Sequence, residues 1–155
     1  MASSTKGYTI LGQPVRYIPI LILALWGLYL FAYRGIRFFE VPSRSMEPTL
    51  LVGDRLVTMR EEQYARGDII VIWDEDNAEY LVKRITGLPG DVLMVGGGAL
   101  MINTHYASEP YIKEPMIYTF PHPVTVEPES VFVMGDNRNM SEDSSTNLRP
   151  MPMKD

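Results

Sequence analysis

Seventeen consecutive uncharged residues, Tyr17-Ile-Pro-Ile-Leu-Ile-Leu-Ala-Leu-Trp-Gly-Leu-Tyr-Leu-Phe-Ala-Tyr33, lie between Arg16 and Arg34. A helix this apolar on all faces needs a large surrounding domain to bury it, which a chain of 155 residues does not easily supply. At 1.5 Å per residue the stretch reaches roughly 25 Å, slightly short of a ~30 Å hydrocarbon core. Snorkelling of Arg34 and Arg37 lets Ile36, Phe38 and Phe39 extend it. Residues 17–39 are therefore expected to form one membrane-spanning anchor behind a tail of residues 1–16. Arg-Gly-Ile-Arg-Phe-Phe follows the stretch where a cleaved leader would carry small residues, which argues for an anchor that is retained. Basic residues stand on both sides (Lys6 and Arg16 before, Arg34 and Arg37 after), so the positive-inside count barely favours an inside N-terminus.

Charge divides the chain at the same place. Residues 1–40 hold four basic residues against Glu40, for +3, whereas the remainder holds 10 basic and 18 acidic residues, for −8. An acidic body without a basic cluster excludes nucleic-acid binding, which needs a concentrated positive surface. With no Cys, and His only at 105 and 122, there is no disulfide, no thiol nucleophile and no His/Cys metal site. No metal and no organic cofactor is expected.

Beyond Glu40 the pattern shortens to apolar runs of four to six residues punctuated by Gly, Pro and Asp. Six strands are expected, at residues 55–59, 68–73, 80–86, 91–95, 99–103 and 130–134, giving a mainly β, antiparallel domain over residues 40–155. Gly96-Gly-Gly98 marks a hairpin turn. A small inserted β element is expected at about 92–130, with Pro110 to Pro128 as an ordered surface excursion.

Three polar clusters carry the chemistry. Ser43-Arg-Ser45-Met-Glu-Pro places two hydroxyls just after the anchor, and a serine is inert until a base takes its proton. Both His lie in the inserted region, so another base is needed, and Lys83 is the best candidate. Strand alternation puts it on the face of Leu81 and Ile85, where desolvation favours the neutral amine. Arg84, on the opposite face, cannot be deprotonated and cannot substitute. The third cluster, Gly135-Asp-Asn-Arg-Asn-Met-Ser141-Glu-Asp143-Ser-Ser-Thr146, follows the last apolar run. Singly, each has a plain structural explanation: a capped turn, an edge-strand charge, a solvated loop.

Their joint order is more specific. Val41-Pro-Ser-Arg-Ser-Met-Glu-Pro-Thr-Leu-Leu-Val-Gly-Asp54, Arg66-Gly-Asp-Ile-Ile-Val-Ile72, Val82-Lys-Arg-Ile-Thr-Gly-Leu-Pro-Gly-Asp91 and Val133-Met-Gly-Asp-Asn-Arg-Asn-Met-Ser-Glu-Asp-Ser144 follow an apolar anchor in sequence. Together they resemble the motifs of the type I signal peptidases, membrane-anchored Ser/Lys proteases that remove leader peptides from exported preproteins. The resemblance implies Ser45 as nucleophile and Lys83 as general base. It implies an oxyanion hole from the Ser43 hydroxyl and Ser45 N–H, and Ser141 orienting the lysine. Arg84, Asp136 and Asp143 would be structural supports, and Met46, Tyr80, Leu81 and Val82 substrate contacts. The implied partners are preproteins with signal peptides and the lipid bilayer, with a single-pass anchor and the catalytic body on the extracytoplasmic side.

Two departures from that pattern stand out. Ser145 occupies a position, two residues after Asp143, where relatives usually carry a basic residue, leaving Arg138 or Arg149 to pair with Asp143. The residues after Ser144 do not resemble the aromatic-glycine segment and closing strand of relatives, so a core strand is expected to be missing. Alternatives are a specialised relative that matures one partner such as a pilin, and an inactive anchored module that binds exported peptides. A Ser/Lys self-cleaving regulator is disfavoured by the anchor.

Overall fold

The computed structural model describes residues 14–153, apart from the side chains of 14–16, 30 and 34; the expected tail lies outside them up to residue 13. Its longest strand, β4 (Glu79–Gly87), is the axis of the body. The β-branched run Ile69-Ile-Val-Ile72 makes β3 (Ile69–Asp74), which returns through a tight turn to pair antiparallel with β4, Ile70 opposite Lys83. On its other side β4 meets β9 (Ser130–Met134), Arg84 opposite Met134, with a register shift between Ile85 and Gly87. β10 (Met151–Pro152) adds two residues at Val131 and Ser130, giving the order β10-β9-β4-β3.

A second four-stranded sheet is the inserted element. β5 (Val92–Gly96) and β6 (Ala99–Ile102) form a hairpin whose turn residues Gly97 and Gly98 have φ of +61° and +81°, values that cost a glycine little. β7 (His105–Tyr106) and β8 (Val124–Thr125) complete the order β7-β6-β5-β8. A third, two-stranded pairing joins β1 (Arg37–Glu40) to β2 (Arg55–Thr58) and brackets the serine-bearing turn between them. Every pairing is antiparallel.

The six expected strands are all present, and four short ones (β1, β7, β8 and β10) were not foreseen; β7, β8 and β10 have two residues each and leave no periodicity to read, and β1 continues the apolar pattern of the helix before it. β9 is buried on both faces. Phe132 and Met134 enter a core with Leu93, Val95, Leu100, Met116, Phe120, Val124 and Val126. Val131 and Val133, pointing the other way, pack with Ile85, Ile70 and Ile72. The Pro110–Pro128 stretch is therefore not a surface excursion: Met116, Phe120, Val124 and Val126 seal the core, and the Phe120 N–H is bonded to Val95 at 3.1 Å.

Helix α1 (Pro14–Arg34) occupies most of the expected anchor, and its described apolar side chains are exposed all round, Tyr17 at 59% and Leu23 at 67%. The expected extension to residue 39 is corrected. Gly35, with φ +58°, ends the helix in the left-handed conformation, and Phe38 and Phe39 belong to β1. Among the described residues no helix is long and apolar enough to cross a membrane. At the other end, α2 (Ser144–Asn147) packs on β9, and the Ser144 hydroxyl accepts the Val133 N–H at 3.2 Å. β10 lies beside β9 at the edge of the first sheet.

Gly87 sits at the junction of the two sheets, where an added Cβ would lie 2.8 Å from Leu93 Cδ1 and 3.0 Å from both Phe132 Cβ and Val126 Cγ2. Gly87→Ala is expected to destabilise the protein by about 1–3 kcal/mol through overpacking, measurable as a lower denaturation midpoint.

Candidate active site

Ser45 sits in a single 3₁₀ turn, Arg44–Met46, and its residue is only 6% exposed while Met46 beneath it is fully buried. The turn packs against β4 and is stapled to the loop after β9. The Asn137 N–H donates to the Ser45 carbonyl at 2.9 Å, the Asn137 side-chain amide donates to the Arg44 carbonyl at 3.1 Å, and the Thr49 hydroxyl donates to Asp136 at 2.5 Å. Ser43, exposed at the mouth, directs its hydroxyl to Ser45 Oγ at 3.2 Å.

Lys83, 3% exposed, lies on the face of β4 opposite to Arg84. Burial pushes its amine below the ordinary lysine range, because the charged form loses hydration; Asp143, then Glu142 and Glu79, act in the opposite direction. Among the described residues no hydrogen bond or ion pair holds the amine. Arg84 is fully committed. Its Nε and Nη2 form a bidentate pair with Asp136 at 2.8 and 2.7 Å, its Nη1 donates to the Gly67 carbonyl at 2.7 Å, and its guanidinium carbon stands 4.0 Å from the centre of the Tyr111 ring.

The loop after β9 joins these parts. At Gly135 a Cβ would run into the Ser45 carbonyl and the Ser141 hydroxyl, so the serine turn and Ser141 meet over that one residue. Ser141 donates its hydroxyl to Asp143, leaving its oxygen lone pairs available. Asp143 also accepts from the Gly135 N–H at 2.8 Å and from the Ser145 N–H and hydroxyl at 2.9 and 2.7 Å. Neither arginine suggested by the sequence reaches it: Arg138 pairs with Glu109 at 2.5 Å and Arg149 with Asp76 at 3.8 Å.

The N-terminal half of β4 has an open edge. β9 pairs with β4 only from Arg84 onward, so residues 79–83 have no strand partner on that side among the described residues. Leu81 and Val82 are thus half-buried and buried beside an empty strand position, while Tyr80 is held by Arg37 at 3.0 Å and by edge-on rings of Phe39 and Trp73. The sequence reading missed Thr49, Asn137, Glu109 and Tyr111, which join the site through contacts up to 93 residues apart. Only Thr49 and Asn137 lay within a quoted motif; nothing local marks Glu109 or Tyr111.

A buried lysine on a strand, a serine turn packed against that strand and an open strand edge beside it are brought together here. The sequence profile of the signal peptidase family, peptidase S26, matches residues 14–155, and the chain belongs to that family. It is 35% identical over 155 residues to signal peptidase I of Leptolyngbya laminosa, covering 92% of this chain and 74% of that protein. It is 33% identical over 157 residues to signal peptidase I U of Bacillus subtilis, covering 92% and 83%. A probable signal peptidase I-2 of Synechocystis is 39% identical over 125 residues, covering 71% of this chain and 57% of that protein. A crystal structure of a signal peptidase I from Enterococcus faecalis aligns with 54% of this chain and 85% of its own, with a TM-score of 0.48 and 30% identity.

Two outcomes follow from this geometry. Gly135→Ala is expected to displace the serine turn and reduce turnover at least ~100-fold, since a shift of about 1 Å at reacting groups is worth that much, while circular dichroism reports intact β structure. Asp136→Ala strands the buried Arg84 charge and is expected to cost about 3–5 kcal/mol in chemical denaturation.

Proposed function

We propose that the protein is a membrane-bound serine endopeptidase that removes N-terminal signal peptides from exported preproteins through an acyl-enzyme, with Ser45 as nucleophile and Lys83 as general base. The observation that carries this reading is the buried Lys83 amine, lowered in pKa and without a hydrogen-bond or ion-pair partner among the described residues, on the strand against which the Ser45 turn packs. Only a neutral amine accepts a proton, and burial shifts the amine toward that form. Membership of the signal peptidase family and the names of its relatives support the substrate class.

The roles follow the chemistry. Ser45 Oγ attacks the scissile carbonyl while Lys83 takes its proton. The oxygen of the tetrahedral intermediate is met by the Ser45 N–H and the Ser43 hydroxyl, which turns from Ser45 Oγ to the new charge. Protonated Lys83 then passes its proton to the leaving amine, and water, deprotonated by the same lysine, releases the leader. Ser141, whose hydroxyl proton goes to Asp143, accepts a hydrogen bond from Lys83 and orients it.

The open edge of β4 at Tyr80, Leu81 and Val82 supplies backbone groups for an extended substrate, and buried Met46 closes the pocket for a small side chain. The exposed apolar surface of α1 serves as the anchor, with residues 40–155 as the catalytic body outside the cytoplasm. Holding enzyme and preprotein on one bilayer raises their effective concentration.

The test is cleavage of a preprotein in liposomes by wild type, Ser45→Ala and Lys83→Ala, all equally folded. One cut after a small-x-small sequence by wild type, and none by either variant, is the expected result. Wild type that binds the leader without cutting would instead make the protein an anchored binding module. Ser43→Ala is expected to lower kcat about 10²-fold with little change in KM, as loss of one oxyanion donor does. Because the base must be neutral, activity falls as pH drops through the Lys83 pKa. Burial has moved that limb below the ordinary lysine range, which a pH series of kcat/KM measures.

A further inference from the structure

Asp143 is 5% exposed, and every hydrogen bond it accepts comes from a neutral donor: the Gly135 N–H, the Ser145 N–H, the Ser145 hydroxyl and the Ser141 hydroxyl. A buried carboxylate commonly pairs with a cation, but here the arginines around it are engaged elsewhere, Arg84 with Asp136, Arg138 with Glu109 and Arg149 with Asp76. Behind Ser145 stands Tyr118, half-buried in the inserted element, whose phenol donates to Ser145 Oγ at 3.2 Å. Donors thus run in one direction, from Tyr118 to Ser145 to Asp143, while Ser141 and the Gly135 N–H hold the second carboxylate oxygen. Neutral donors satisfy the lone pairs and leave the negative charge uncancelled, and such a charge acts strongly through a poorly solvated interior.

We propose that Tyr118 and Ser145 are positioning residues that hold Asp143 as a carboxylate without a cationic partner among the described residues, so that its charge moves the acid limb of the site's activity to higher pH than burial alone would give. This rests on Lys83 acting as the base. Burial is the main influence on the Lys83 amine, and Asp143 is the leading charge acting on it, ahead of Glu142 from the same loop and Glu79 from its own strand. The remaining charged groups of the surrounding elements are occupied: Arg44 of the serine turn pairs with Glu47, Asp74 of β3 caps the turn at Asp76 and Asn77, and Arg84 and Asp136 neutralise each other.

The experiment is the pH dependence of kcat/KM on a preprotein for wild type, Ser145→Arg, Ser145→Thr, Asp143→Asn and Tyr118→Phe. Ser145→Arg places a cation on Asp143, so Lys83 loses its proton more readily, the acid limb moves to lower pH, and activity below the wild-type limb rises several-fold. Asp143→Asn cancels the same charge without adding bulk, and its limb moves the same way even where kcat falls. Ser145→Thr keeps the hydroxyl and the wild-type limb. Tyr118→Phe lowers kcat several-fold at unchanged KM. A limb unmoved in both charge-cancelling variants overturns the proposal, as does a Tyr118→Phe enzyme indistinguishable from wild type. Cleavage surviving Lys83→Ala would sink the dyad itself; cleavage lost there, with the limb fixed in Ser145→Arg and Asp143→Asn, sinks only the role of the relay.

Discussion

The ion pair between Arg84 and Asp136 is the joint on which the rest of the site depends. Asp136 is wholly buried, and a charge in that position is tolerable only when its partner is close and its remaining lone pairs are filled. Both conditions are met: two parallel N–H bonds from Arg84, and the hydroxyl of Thr49 from the far side. The consequence is mechanical. Arg84 is fixed in β4 one residue from Lys83, Asp136 belongs to the loop after β9, and Thr49 belongs to the serine-bearing segment. One carboxylate therefore ties three distant stretches of chain into a single frame, and Asn137 adds two further bonds from the same loop to the serine turn. The frame extends into the inserted element, where the Lys113 N–H bonds the Asp136 carbonyl and Glu109 holds Arg138, whose Nε bonds the Gly135 carbonyl.

Adjacent residues on β4 meet opposite fates because the strand pleats. Arg84 turns toward the charge network and is stabilised as a cation, its hydrogen bond to Asp136 raising its pKa further. Lys83 turns to the other side, where burial removes hydration without a matching partner. The two are not interchangeable, since a guanidinium stays protonated in any such setting and an amine does not. A buried, partnerless lysine also opposes folding at neutral pH. The unfolded chain binds its proton where the folded chain does not, so the penalty shrinks as pH rises toward the ordinary lysine value. Strain of this kind is placed where the surrounding structure is most tightly bonded, and here that is the Arg84–Asp136 frame.

Much of the β body was legible in the sequence because β-branched runs with turn residues between them allow few other structures. Ile69 to Ile72 and Ser130 to Met134 carry that signal plainly. The short strands do not: Val124-Thr125 and Met151-Pro152 pair only because longer neighbours present an edge. The boundary of the apolar helix was missed for a local reason, since Gly35 ends it while the apolar pattern runs on into Phe38 and Phe39. The Pro-rich stretch was misread because prolines suggest a surface path, whereas Met116 and Phe120 fall at positions that face the core. At the candidate site, Ser45, Lys83 and the 135–146 loop drew attention through residue types with few chemical alternatives and through the order of their motifs along the chain. The residues that brace them, Glu109, Tyr111 and Tyr118, were invisible because an ordinary Glu or Tyr gains its meaning only from what lies across the fold.

The inserted element is therefore part of the working site and not an appendage. Its own core, built on Leu93, Val95 and Leu100, is continuous with Phe132 and Met134 of β9, the strand that leads into the 135–146 loop. Movement of the insertion against the first sheet would have to break that shared packing together with the Arg138–Glu109 pair, whose arginine side chain is completely buried. Rigid packing of this sort transmits small displacements without absorbing them. Three contacts that lock the loop, from Glu109, Lys113 and Tyr118, and the Tyr111 ring against Arg84 of β4 come from within ten residues of one another in the stretch that runs back from β7 toward β8. That stretch reaches the serine-bearing segment directly, the Lys113 amine pairing with Glu47 at 2.7 Å, and also through the Lys113 N–H on the Asp136 carbonyl and the Asp136 carboxylate on Thr49. The insertion thus tunes the geometry of the site while leaving the open edge of β4, on which a substrate strand would lie, untouched.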